Sequence, residues 1–269
     1  VSTGSGRRRW GGITHLTEIL EDQPGGIEFA GRDVALVTLA CELADAYPGQ
    51  LVFKGGFVLR HGYGHLRFSQ DVDATRHDPP AHKLDAAAVA TTITQASISN
   101  VIQFTPAAPS TDSARSLDFD TIRVTSDLFR TTSVQVEVSY REGVVGAPVR
   151  QLIGHPFYEP FEILTMEPGE MAAEKLRTLA QRQRATDLAD LAVLLMSLPA
   201  DLDDPIARFA VVRFEQVKQG RANRADRILA TIDELADAYD NEVPRLFHGA
   251  PDYRAAKAAV WPRIKPLIP

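Results

Sequence analysis

The chain has 269 residues, 44% of them hydrophobic and 24% charged, with a formal net charge of −6 and a sequence pI of about 5.7. That length suits one large globular unit or two smaller ones, and no segment approaches the ~18 uninterrupted apolar residues of a membrane span. The acidic balance excludes a surface coated in positive charge, so any contact with nucleic acid must use a local basic patch.

The basic cluster Arg7–Arg9 is not followed by an apolar run, which argues against a secretory signal. Residues 13–22 and 32–47 read as helices, the second rich in alanine and leucine and stopped by Pro48-Gly49. Its Cys41 is the only cysteine, so no internal disulfide and no cysteine-based zinc site can form; a small core residue in a reducing cytoplasm is the expectation. Leu51-Val52-Phe53 is a short apolar run, Phe57–His61 one or two helical turns, and Gly62-Tyr63-Gly64 a turn. Arg67–Ala74 reads as a strand and 81–96 as a helix. Ile98–Phe104, Leu117–Thr125 and Ser133–Tyr140 are β-branched and alternate in polarity, as strands do. From Pro168 strand signals vanish. A helix starts there and runs to about Gln183, with Pro168 suited to its first turn. Another starts near Thr186-Asp187, with Leu188, Leu191, Leu195 and Leu198 on one stripe. Pro199 to Pro205 breaks it, and helices near 204–219, 223–240 and 252–262 follow. The expected fold is α+β (mixed α/β): a mixed sheet with flanking helices over 1–165, then a helical unit over 166–269.

The chemistry concentrates between Lys54 and Asp73. Gly55 and Gly56 can bring bare backbone N–H groups close to a phosphate. On a strand, Ser69, Asp71 and Asp73 share one face, with the Cα atoms of the two aspartates roughly 7 Å apart at a rise of about 3.3 Å per residue. Two converging carboxylates bind a hard cation such as Mg²⁺, which completes its shell with phosphate oxygens or water. Asp-x-Asp alone is also what an exposed strand edge produces by chance. Glu137, on the strand 133–140, is an acid that could join a metal site or serve as a base, and equally reads as an exposed strand glutamate. Lys175 and Asp187 stand twelve positions apart, out of line on one continuous helix, but a break near Arg184-Ala185 lets both enter one cleft. There a lysine can neutralise a triphosphate as a point charge; the plainer readings are a surface lysine and an acid at a helix N-terminus. The sequence contains no Gly-x-Ser-x-Gly elbow and no P-loop, and the spacing of His61 and His65 across two glycines does not suit a helical metal pair.

In order, Phe-Lys-Gly-Gly-x-x-Leu-Arg, Arg-Phe-Ser-x-Asp-Val-Asp, a later strand acid, and Ala-Glu-Lys-Leu-Arg…Arg-x-x-Asp-Leu-x-Asp-Leu resemble the AbiEii/AbiGii nucleotidyltransferase toxins, whose mycobacterial members are the MenT toxins. The resemblance covers roughly residues 33–198. It implies a core like that of DNA polymerase β, and a toxin that transfers nucleotides from an NTP to RNA, at the 3′ acceptor end of tRNA, blocking translation. Carried over by position, Gly55, Gly56 and Ser69 contact nucleotide phosphates, Asp71 and Asp73 hold Mg²⁺ (or Mn²⁺) with Glu137 as a further ligand by strand pattern, and Lys175 and Asp187 form the essential later pair. Arg60, Arg67, Arg182 and Arg184 are candidates for the acceptor's backbone phosphates. A cognate antitoxin is an implied partner. Phe57-Val58 departs from the family's small polar residue and alanine after the glycines. The other readings are nucleotidyl transfer to a protein hydroxyl, a kinase using the same metal clamp, and a nucleotide-binding module without turnover.

Overall fold

The computed structural model describes residues 27–265 except 66, 78–82, 99–100, 142, 157, 200–202 and 217–223; the expected helix at 13–22 and the Arg7–Arg9 cluster lie outside the described residues. The first element, α1 (Ile27–Ala46), begins earlier than its sequence pattern suggests and is buried on nearly every side. Its middle, Val34–Cys41, has no charged residue on any face, as suits a helix in a core. Pro48 and Gly49, the latter at φ +72°, turn the chain into β1 (Leu51–Lys54). Strand passes directly into α2 (Gly55–Tyr63), which ends where Gly64 takes a left-handed conformation. There the Gly64 N–H donates to the Arg60 carbonyl at 3.1 Å and the His65 N–H to the Leu59 carbonyl at 3.0 Å, the paired bonds of a Schellman cap.

The strand expected from Arg67 starts at Asp71: β2 is Asp71–Arg76. Residues 67–68 bond elsewhere, Arg67 bridging to Phe247 and the Phe68 N–H donating to the Leu246 carbonyl at 2.9 Å. α3 (Ala86–Gln95) is capped by Asp85, whose carboxylate accepts the Ala87 N–H. β3 (Gln103–Pro106), β4 (Thr111–Asp112), β5 (Ser116–Thr125) and β6 (Thr132–Ser139) follow. Two strands without a strong sequence signal come next, β7 (Val149–His155) and β8 (Tyr158–Thr165). Pro160, a poor strand residue, sits where their register shifts between Ile153 and His155.

The strands form one mixed sheet in the order β3-β5-β6-β2-β1-β8-β7, with β4 added to β5. β1 runs antiparallel to β2 and parallel to β8, and β2 runs parallel to β6. α1 lies against β2, β6 and β8, and α2 against β1, β2 and β7.

Beyond β8 the described chain is helical: α4 (Pro168–Arg182), α5 (Ala185–Ser197), α6 (Asp203–Gln216), α7 (Arg224–Glu234), α8 (Ala236–Leu246) and α9 (Tyr253–Ile264). Pro205 falls within the first turn of α6, where a missing N–H costs little. The single helix expected over 223–240 is instead two, separated at Leu235. α5 packs against α4, α8 and α9 and also reaches α2, so it joins the helices to the sheet. One apolar cluster runs from Val34 and Phe53 through Leu188 to Val260. Among the described residues no helix is long and apolar enough to cross a membrane.

Candidate active site

The site forms where β1 ends. Lys54 closes the strand in extended geometry and α2 starts at Gly55, with no side chain capping its first N–H groups. Those donors, at the positive end of the helix, are set to receive an anion. Gly55 sits at φ +72°, and a Cβ there would lie 2.3 Å from Asp73 Oδ2. A Cβ on Gly56 would lie 1.9 Å from Arg67 Nη1 and 2.8 Å from Ser69 Oγ. The two glycines are thus the positions at which the backbone touches the polar arm of β2.

That arm presents Ser69, Asp71 and Asp73. Ser69 Oγ donates to Asp71 Oδ1 at 2.8 Å, which orients the carboxylate. In the ladder Asp73 is opposite Lys54 on β1 and Glu137 on β6. Burial and the like charges of Asp71 and Glu137 push the Asp73 carboxyl up to about 8, against the pull of Lys54 and Lys175. A divalent cation would relieve this crowding of negative charge, and an all-oxygen pair suits Mg²⁺ or Mn²⁺. Among the described residues no three or more His, Cys, Asp or Glu converge as a ready-made ion site. Glu137, exposed on β6, stands opposite Asp73 in the ladder. A cation on Asp71 and Asp73 would rely on phosphate oxygens and water.

The opposite wall comes from α4 and α5. α4 ends at Arg182, Gln183 takes a left-handed φ of 52°, and Arg184 is the extended residue before α5. The break allows Lys175 Nζ to donate to Asp187 Oδ1 at 3.2 Å, and it lies 2.8 Å from Asp190 Oδ2. Asp190 also holds Arg67 Nη1 at 3.2 Å and is fully buried. Burial alone would lower the Lys175 pKa, but Asp190 and Asp187 more than offset it and raise it. Lys54, Gly55, Asp73, Glu174, Lys175 and Arg182 line one cleft. Lys54 Nζ lies 3.7 Å from Glu174, which in turn accepts from Arg177 Nε at 2.9 Å. Lys54, Arg177 and Arg213 hold the Glu174 carboxyl well below its usual range despite the opposing effect of burial.

A wider cleft lies around the other end of β1, between Tyr47, Leu51, Arg150, Leu152 and Phe161. Its ion pair, Arg150–Glu162 at 3.7 Å, is solvent-exposed and lacks the buried charge expected of a reactive site.

A family model described as nucleotidyl transferase AbiEii toxin, type IV toxin–antitoxin system, matches residues 38–261. The chain belongs to the AbiEii family. An AbiEii protein is a nucleotidyltransferase toxin, and the mixed sheet with flanking helices is shared with solved structures at low identity. MenT4, a nucleotidyltransferase toxin from Mycobacterium tuberculosis H37Rv, is 20% identical with a TM-score of 0.69, covering 95% of this chain and 90% of its own. JHP933 from Helicobacter pylori is 19% identical with a TM-score of 0.59, covering 89% and 91%. A putative nucleotidyltransferase from H. pylori is 17% identical with a TM-score of 0.59, covering 89% and 94%. No curated protein matches the AbiEii chain by sequence.

Of the residues singled out in the sequence, Gly55, Gly56, Ser69, Asp71, Asp73, Lys175 and Asp187 meet around this cleft. The arginines divide. Arg182 and Arg184 are exposed at the helix break, available to an acceptor. Arg60 is not: its guanidinium forks onto Asp33 at 2.8 and 3.1 Å. Arg67 faces Gly56 inside the cradle rather than an outer RNA face. Sequence reasoning passed over Lys54, Glu174 and Asp190. Asp190 was findable, since three residues beyond Asp187 on a helix is the same face.

Proposed function

We propose that this AbiEii nucleotidyltransferase toxin uses the cleft between Gly55 and Lys175 to transfer a nucleotide from an NTP to an RNA 3′-hydroxyl, the acceptor end of tRNA, in the cytoplasm and under the control of a cognate antitoxin. The observation that carries the reading is the meeting, at one strand end, of an uncapped helix N-terminus, a carboxylate pair and a half-buried lysine. Backbone N–H groups of Gly55 and Gly56 would receive the triphosphate, with Arg67 across Gly56 and Lys175 on the facing wall adding positive charge. Asp71, oriented by Ser69, and Asp73 would hold the divalent cation. When bound, that cation offsets the charge that develops on the leaving pyrophosphate. The acceptor oxygen attacks the α-phosphorus in line, the bond to the β-phosphate breaks, and pyrophosphate departs as the hydroxyl proton is lost. Arg182 and Arg184, exposed beside the cleft, would steady the acceptor backbone by contacts independent of its sequence.

The test is transfer of label from each α-labelled NTP, with Mg²⁺, to total tRNA and separately to cell protein. Labelled tRNA is expected, with Asp71→Ala and Lys175→Ala each abolishing both transfer and growth inhibition. Label on protein alone, or undiminished toxicity in both variants, would refute it.

A further inference from the structure

One buried polar cluster takes no part in the reaction drawn above. Asp33, on α1, is 5% exposed and lies outside the stretch 38–261 matched by the family model. Three side chains from two other elements face its carboxylate. Arg60 on α2 donates from Nε to Oδ1 at 2.8 Å and from Nη2 to Oδ2 at 3.1 Å. His61 Nε2, on the same helix, lies 3.1 Å from Oδ1, and His155 Nε2, on β7, 3.7 Å from Oδ2. Burying an ion pair is costly and contributes little net stability compared with an apolar packing of the same volume. What a forked pair does supply is a fixed orientation.

The parts oriented here are the two halves of the cradle. Arg60 and His61 belong to the last turns of α2, whose first residues are Gly55 and Gly56. The same Arg60 donates from Nη1 to the Arg67 carbonyl at 3.4 Å and lies over the Phe68 ring, 4.9 Å from its centroid. Phe68 also stacks on Phe29 of α1, with ring centroids 4.4 Å apart. Ser69, which orients Asp71, is the next residue. Through Arg60, Asp33 therefore braces both the helix that opens at the phosphate-receiving glycines and the segment that leads into the carboxylate pair.

We propose that Asp33 is a positioning residue for nucleotidyl transfer, setting the glycine edge of the cradle against the Ser69–Asp71–Asp73 arm by way of Arg60. This rests on the nucleotidyl-transfer reading of the cleft. The experiment compares wild type, Asp33→Asn and Arg60→Lys with Leu43→Ala, a core truncation on the same helix. Each is assayed with α-labelled NTP and total tRNA at a temperature where its unfolding curve shows it folded, with NTP binding titrated in parallel. Asn keeps the size of Asp33 but loses its charge; Lys keeps the charge of Arg60 but loses the fork and the bond to the Arg67 carbonyl. For both, kcat/KM for NTP is expected to fall about tenfold to a hundredfold, the scale of small misplacements in a reacting geometry. The KM for tRNA and the activity of Leu43→Ala should hold. Arg60→Lys decides the matter alone if Asp33→Asn does not fold. Variants that lose no more activity than Leu43→Ala, or that raise the KM for tRNA instead, overturn the role of Asp33 while leaving the transfer reading intact. A wild type that neither binds nor transfers NTP overturns both.

Discussion

Replacing Gly55 by alanine tests the cradle most directly, because a second glycine supplies the control. Gly49 and Gly55 have the same φ of +72°, but a Cβ at Gly49 meets nothing within 4 Å. Gly49→Ala therefore carries only the left-handed backbone penalty of roughly 1–2 kcal/mol. At a few degrees per kcal/mol for a chain of about this size, Tm should fall by about 2–8 °C. At Gly55 the new methyl would also stand 2.3 Å from Asp73 Oδ2, 3.1 Å from its Cγ and 3.2 Å from its Cβ. The whole Asp73 side chain must move, not only its tip, which adds overpacking of about 1–3 kcal/mol. The summed loss shifts Tm by on the order of 10 °C. Activity separates the two further. Gly49→Ala should transfer nucleotide like wild type, and Gly55→Ala should lose on the order of a hundredfold because a carboxylate of the proposed metal pair is displaced. Thermal unfolding and label transfer on both proteins provide the readouts. Wild-type transfer by Gly55→Ala, or equal losses in the two variants, would refute the placement of Asp73 against this glycine.

Arg67→Ala should raise the KM for NTP and leave the KM for tRNA unchanged, because Arg67 lies across Gly56; steady-state kinetics with each substrate varied in turn distinguish this from a role on RNA. Acidification should act on the fold through groups of opposite sign: Asp73, raised to about 8, takes up its proton in the folded state first and adds stability as pH falls from about 8 toward about 4. Burial lowers the pKa of His61 and of His65 below the ordinary 6.5, so at these two sites the unfolded chain takes up protons first and their contribution to stability falls as pH drops through the range below about 6.5. Asp33, held low against burial by its hydrogen bonds with His155 and His61 and by the nearby Arg60, and Glu174, held low against burial by Lys54, Arg177 and Arg213, add a loss as pH falls below about 4. Denaturant midpoints of wild type and Asp73→Asn across pH 8 to 3 check this: in Asp73→Asn, which lacks the opposing carboxyl, the midpoint should fall between pH 7 and 5, and a flat midpoint there would contradict it.

Much of this was legible where chemistry and chain order coincide. Gly55-Gly56 and Asp71-x-Asp73 are close in sequence, and strand parity alone puts the two aspartates on one face. The Lys175–Asp187 cleft could be reached because the helix break between them follows from local signals. What stayed hidden depends on partners far along the chain. β2 begins at Asp71 because residues 67–68 are bonded to the end of α8, which no local pattern encodes. β7 and β8 were obscured by Pro156 and Pro160 and by Leu152, an apolar residue that the fold leaves exposed. Arg60 looked like a basic surface residue because its partner, Asp33, lies 27 positions away on another helix, beyond any local pattern.

Lys175 and Arg67 reach the cleft already paired with Asp187 and Asp190. Two positive and two negative charges make this cluster neutral before any ligand arrives. Under the proposed reaction, an incoming phosphate must compete with carboxylates for the same cations. Under that reading the buried aspartates would act as resident competitors, so that a phosphate binding at this wall breaks an ion pair before it forms one.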